Sequence, residues 1–256
     1  MQEKIEKEII IRPCAGFAEF EECVQIQDTV WGYDEADRIP QRVFMLASKI
    51  GGQVLGAFDG DTMVSFCMGL PGYRNGHVYL HSHMLAVLPE YRNFGLGRRM
   101  KLAQRDDCLS RGIELMEWTF DPMEIKNSWL NIGRLGAVVR RYAPNFYGFS
   151  TSHLQGGLPT DRLYAEWWLK SRRVETMLNG KQLNNQYVTE EIKVPHEIYD
   201  WKASETDWPK AEAVHSGVRE AFLSSFAQSL SVIGYSRNDA GDGTFLLGHW
   251  DEDLRY

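Results

Sequence analysis

The sequence predicts an α/β (α+β) fold: a mixed, mostly antiparallel, twisted sheet flanked by helices. Three observations predict it. Val54 to Met68 places two apolar runs around Asp59-Gly60-Asp61, the signature of an antiparallel hairpin. Leu80 to Val87 alternates like another strand, after a turn expected over Pro71 to Gly76. Arg98 to Ser110 is rich in helix formers, closes at Gly112 and runs into the apolar stretch Ile113 to Phe120, so helix and strand alternate there.

The remaining elements follow from the same rules. Glu8 to Arg12 is a short apolar run stopped by Pro13, a first strand. Phe20, Cys23, Val24, Gln27 and Val30 recur at helical spacing between Phe17 and Trp31. The polar stretch from Gly32 to Arg42 reads as a loop, either a solvated connection or a substrate-facing element. Asp121-Pro122 stops the strand before it, because proline cannot donate to a ladder. Lys126 to Leu135 reads as a shorter helix closing at Gly136, and Leu163 to Leu169 as one more strand.

From about Arg173 the texture changes. Asn179 to Gln182 and Asn184 to Gln186 are linker-like, and Tyr187 to Val194 alternates like a strand. Asp207 to Leu230 reads as a helix with Pro209 in its tolerant first turn. Ser231 to Ser236 and Thr244 to Trp250 form a terminal hairpin. The expected organisation is a main domain over residues 1–172 and a C-terminal extension, strand, helix and hairpin, over 173–256.

Composition excludes several classes. With 43% hydrophobic and 25% charged residues the chain is globular, not disordered. Its net charge of −7 offers no broad basic surface, so neither nucleic acid nor an anionic membrane is an expected partner. Cys14, Cys23, Cys67 and Cys108 are scattered without CxxC pairs, which suits reduced thiols in the cytosol. Met1 to Glu8 lacks the apolar stretch of a signal peptide, and no run reaches membrane-span length. A cytoplasmic protein is expected.

The richest stretch is Arg92-Asn93-Phe94-Gly95-Leu96-Gly97. It lies between a strand and a helix, so a tight glycine turn aims helix N-terminal N–H groups at one point. That point is the positive end of the helix dipole, where a phosphate is favoured. Arg98, Arg99, Lys101 and Arg105 add positive charge to an acidic chain, although Arg105 also fits a solvated helix face.

The strand Leu80 to Val87, Pro89, and the pattern Arg92-x-x-Gly95-x-Gly97 before a helix resemble motif A of the GNAT superfamily of acyl-CoA-dependent N-acyltransferases. The resemblance spans about residues 8 to 170. It implies an acetyl-CoA or another acyl-CoA as co-substrate and no metal. Backbone N–H groups of Arg92, Asn93, Phe94, Gly95, Leu96, Gly97 and Arg98 would then hold the pyrophosphate. The main chain of Leu85, Ala86 and Val87 would pair with the pantetheine arm and polarise the thioester carbonyl. Asn127, which opens the later helix, belongs to the same implied site.

His81 and His83 stand two apart on a strand, so they are expected to share a face with Leu85 and Val87. An attacking amine must lose a proton, and imidazole titrates in the useful range. The run His81-Ser82-His83-Met84-Leu85-Ala86-Val87 is similar to that of the arylalkylamine N-acetyltransferases, where two histidines relay a proton. Hydrogen-bonded packing and a zinc site are the alternatives, the latter without a third ligand nearby in sequence.

The chain also departs from the family. Many GNAT enzymes carry a tyrosine on the later helix that reprotonates the leaving thiolate; here Ile132 occupies that position, between Asn127 and Leu135-Gly136-Ala137. Tyr142, Tyr147 or a water could substitute. Asp121 fits an Asp-Pro turn or an orienting carboxylate, and Arg162 either grips a ligand carboxylate or pairs with Asp161. The segment from Leu135 to Gly148, with the loop Gly156-Gly157-Leu158-Pro159-Thr160-Asp161-Arg162, resembles a little-characterised bacterial GNAT branch. The implied activity is acetyl or succinyl transfer to the amine of a small molecule by direct attack, since no cysteine lies in the motif. The alternative is a non-catalytic acyl-CoA-binding or regulatory protein. A homodimer built through the aromatic-rich extension is a further expectation.

Overall fold

The computed structural model describes residues 8–148, 150–152, 154–181 and 187–250. The charged start Met1 to Lys7 and the linker residues Gln182 and Asn184 to Gln186 lie outside the described residues. The chain divides into two compact units, residues 1–113 and 114–256.

In the first unit, β1 (Ile9–Pro13), β2 (Gln53–Asp59), β3 (Thr62–Arg74) and β4 (His77–Val87) pair antiparallel in chain order. The expected hairpin at Gly60 is present, with Asp59 opposite Thr62. The next turn is tighter than expected, because β3 continues through Pro71 to Arg74. Pro71 lies beyond the last residue of β3 that pairs with β2, so its missing N–H leaves no gap in that ladder. Asn75 and Gly76, at φ 51° and 87°, make the two-residue loop that matches strand twist.

α1 (Gly16–Trp31) buries Phe20, Cys23, Val24, Gln27 and Val30 and ends at Gly32 in the left-handed region. The expected loop from Gly32 is shorter than predicted, because Gln41 and Arg42 open α2 (Gln41–Lys49). Buried Gln27 ties that connection down: its amide donates to the Ile39 carbonyl, and its oxygen accepts from the Ile39 N–H. Phe20, Phe44, Phe66, Met68, Met84 and Ala86 form one core cluster. Leu55, Ala57, Val64, Cys67, Leu96 and Met100 form a second, which includes two residues of α3 (Leu96–Ser110). Successive residues of β2 and β3 alternate between the two clusters, as a doubly covered sheet requires.

In the second unit the strand order is β5 (Leu115–Phe120), β7 (Arg162–Trp168), β6 (Val138–Ala143), β9 (Ser231–Arg237), β10 (Gly243–Gly248), β8 (Val188–Val194), each pair antiparallel. The terminal hairpin joins this sheet through Val232 opposite Val139, so the residues after 172 extend a sheet begun before them. The helix expected over Lys126 to Leu135 splits into α4 (Ile125–Ser128) and a π-helical segment, Trp129–Arg134. α5 (Arg172–Leu178) is capped by Ser171 Oγ, which accepts from the Val174 N–H. α6 (Ile198–Ala203) and α7 (Trp208–Ala227) complete the unit.

Candidate active site

β4 carries both histidines, but not on the face that simple alternation predicts. Met84 stands opposite Met68 and Ser82 opposite Gly69, so His83 is an extra residue, a β-bulge. The bulge resets the phase of the strand. Leu85 and Val87 pack toward Leu96 and Met100, and it is Ser82 that joins them, bonding to Gln104 and Lys101 of α3. His81 instead stands opposite Leu70, which packs on the α1 and α2 cluster. The expectation that His81 and His83 share a face with Leu85 and Val87 is therefore corrected. The two rings remain neighbours, 6.1 Å between centroids. Burial holds the His83 imidazole below its ordinary value, so it is neutral near pH 7 and able to accept a proton. Among the described residues, the one group of side chains spaced to hold a metal is exposed His196 with Glu197 and Asp242; neither His81 nor His83 belongs to it.

After β4 the chain turns through a single 3-10 turn, Pro89–Tyr91. Arg92 folds back, its Nε donating to the Val87 carbonyl at 3.0 Å. Asn93 and Gly95 both adopt positive φ, 67° and 76°. At Gly95, the N-cap of α3, a side chain would be strained although space is open. Phe94 is 63% exposed, while Leu96 is buried and anchors the helix start. The Arg99 N–H donates to the Gly95 carbonyl, so the N–H groups of Leu96, Gly97 and Arg98 precede the intrahelical ladder. Arg98 Nε is buried with no hydrogen-bond partner. Open first-turn donors, a glycine turn and the unpartnered Nε of Arg98 form a cradle that fits a phosphate.

The other cations predicted there are used elsewhere. Arg99 donates to the Ile9 carbonyl, and Arg105 lies near Asp106. Lys101 is buried, donates to Ser82 Oγ, and is pushed by burial down to about 7. Asn127, in the second unit, is exposed on α4, where its Oδ1 accepts from Asn131 Nδ2.

Residues 20–125 match the acetyltransferase (GNAT) family. Those residues are a GNAT domain. Among solved structures, the ribosomal-protein-S18-alanine N-acetyltransferase from Escherichia coli is similar at 14% identity, with 64% of this chain, 95% of that one and a TM-score of 0.51. A putative acetyltransferase from Salmonella typhimurium with its cofactor acetyl-CoA is similar at 15% identity, covering 64% and 95%, with a TM-score of 0.51. An aminoglycoside 6'-acetyltransferase type Ii gives 16% identity, 64% and 99% coverage, and 0.51. At such identities the likeness shows the fold, and that fold is GNAT. A comparison with curated proteins finds no match.

Against this GNAT frame, Ile132 is fully buried in the π-helical segment, so no acid stands at the tyrosine position. Tyr142 donates its hydroxyl to Asp161 at 2.5 Å, and burial with that bond pushes it well above its ordinary value. Tyr147 shares a hydrogen bond with Thr119 at 2.9 Å. Asp121 Oδ1 accepts from the Met123 N–H, the turn role expected of it. Arg162 lies 3.9 Å from Asp121 and donates to the Asp161 carbonyl, not to its carboxylate. That carboxylate takes Arg219 of α7 instead, at 2.6 Å through two bonds. Nothing in the sequence pairs residues so far apart, and Arg219 was not among the predicted site residues.

Proposed function

We propose that this GNAT-domain protein moves an acetyl or succinyl group from an acyl-CoA to the amine of a small molecule by direct attack. The observation that carries the reading is the cradle at the start of α3, with its open N–H groups and the orphaned Arg98 Nε. When bound there, acyl-CoA supplies an activated thioester. Residues Arg92 to Arg98 hold its phosphates, and Leu85 to Val87 offer main-chain groups to its arm. His83, neutral at pH 7, takes the proton from the acceptor amine, and His81 relays it. Direct attack is favoured over a cysteinyl intermediate, because burial pushes the Cys67 thiol up to about 12 and the Cys108 thiol up to about 11.

A non-catalytic acyl-CoA-binding role is the second reading, favoured by buried Ile132 at the tyrosine position. The two separate in one assay: acetyl-CoA and succinyl-CoA over an amine panel, with thiol release monitored. Turnover is expected; tight CoA binding without turnover on a broad panel supports the second reading. His83→Ala is expected to lower kcat/KM by about 10²–10⁴-fold. The acid limb of the wild-type profile is expected below the ordinary imidazole value of about 6.5, since burial lowers the His83 pKa. Wild-type turnover and an unchanged profile in both His83→Ala and His81→Ala would remove the relay. A cytoplasmic setting and a homodimer complete the proposal. The free cysteines suit the first, and a monomer in solution scattering would count against the second.

A further inference from the structure

We propose that Asn145, Gly148, Ser150 and Gly157 to Pro159, between β6 and β7, together with Arg219 of α7, form a second binding site, for a small carboxylic acid with an apolar body. The site lies wholly within residues 114–256 and is independent of the acyl-CoA reading. A cavity of about 380 Å³ opens there, lined by Asn145, Gly148, Ser150, Leu158, Pro159 and Arg219. That volume falls in the range of small-molecule pockets.

The walls are fixed in place. Thr160 Oγ1 donates to the Gly148 carbonyl, and the Phe146 and Tyr147 N–H groups bond to Thr160. Trp208 Nε1 donates to the Gly156 carbonyl at 2.8 Å, tying the loop to the start of α7. The guanidinium is fixed too. Buried Asp161 takes Arg219 Nε and Nη2 at 2.6 Å each, and is further bonded by the Tyr142 hydroxyl and the Asn145 N–H. His215, one turn earlier on α7, is buried with Nε2 3.5 Å from the same carboxylate. Asp161 is thus saturated with donors, and its pair with Arg219 uses Nε and Nη2 but not Nη1, the nitrogen that takes the ligand in this proposal.

One guanidinium, already shared with one carboxylate, suits a singly charged anion better than a phosphoryl group. Asn145 Oδ1 is turned to the Thr160 N–H, which leaves its amide nitrogen as a second donor. Leu158 and Pro159 present apolar wall to the rest of the molecule.

Benzoate and benzamide, equal in shape and different in charge, test this on the full chain by ¹⁵N NMR. Benzoate is expected to shift the Gly148, Ser150 and Gly157 amides saturably, and benzamide to bind about tenfold more weakly. Arg219→Gln is expected to erase the difference. Because that change also strips a partner from buried Asp161, Ser150→Tyr serves as a second variant: it fills the cavity, leaves the ion pair intact and is expected to abolish the shifts. Equal affinities, shifts centred on Arg92 to Arg98, or no saturable shift up to ~10 mM, ten times a millimolar Kd, would overturn the proposal.

Discussion

Lys101 in the first unit and Asp161 in the second are both buried ionisable groups, and their surroundings treat them in opposite ways. Lys101 sits on the buried face of α3; burial pushes it down to about 7, against the weaker pull of Cys67 and Cys108. Burial pushes the Asp161 carboxyl up, yet Arg219, Tyr142 and the Asn145 N–H outweigh it and hold the group below the usual carboxylate range. Desolvation opposes charge in both places. The hydrogen-bond partners decide which group keeps it.

The largest way to break this contrast is Asp161→Ala. It strands Arg219, Tyr142 and the Asn145 N–H, and is expected to destabilise by about 3–5 kcal/mol in urea unfolding. A loss below about 1 kcal/mol would mean that the cluster contributes no more than a surface pair. Because the folded-state pKa of Asp161 is depressed, its contribution is present above about 3.9, the unfolded value, and is lost as pH falls through the lower folded value.

Lys101 has the reverse dependence. Its folded value of about 7 lies below the unfolded one, so between them the unfolded chain binds the extra proton. Stability is therefore expected to rise with pH from about 7 to about 10, by up to about 1.4 kcal/mol per pH unit. Lys101→Met is expected to flatten that rise, and an unchanged slope in the variant would assign it to other groups. The smallest effect is expected from Ser82→Ala, about 1 kcal/mol by thermal unfolding. Removing an acceptor for the ammonium should also shift the Lys101 slope to lower pH; a slope that stays put would show that this hydroxyl does not help hold the charge.

Local signals made much of the fold legible. The hairpin at Gly60, the α1 stripe, the α3 boundaries and the terminal hairpin all follow from turn chemistry and period. α2 was not legible: it is short, begins after Pro40 without a side-chain cap, and buries only Phe44 and Ala47. β6 was hidden because its burial pattern, buried at Val138 and Val139 and then half-exposed to Ala143, is not alternating. In the candidate site, the glycine cradle was readable because it is contiguous. The facing of His81 was misread because a bulge adds a residue without any sequence mark.

The sequence by itself determined the strand, turn and helix that build the cradle, and the absence of a tyrosine at Ile132. These are properties of neighbouring residues, and the backbone preferences of glycine and the donors of a helix start are local. Only the tertiary structure decided that Lys101 meets Ser82 while Arg98 Nε is buried without a partner, and that Asp161 meets Arg219. Which face of a helix is covered, and which distant side chain completes a buried charge, depends on packing between segments far apart in the chain. No local pattern carries that information.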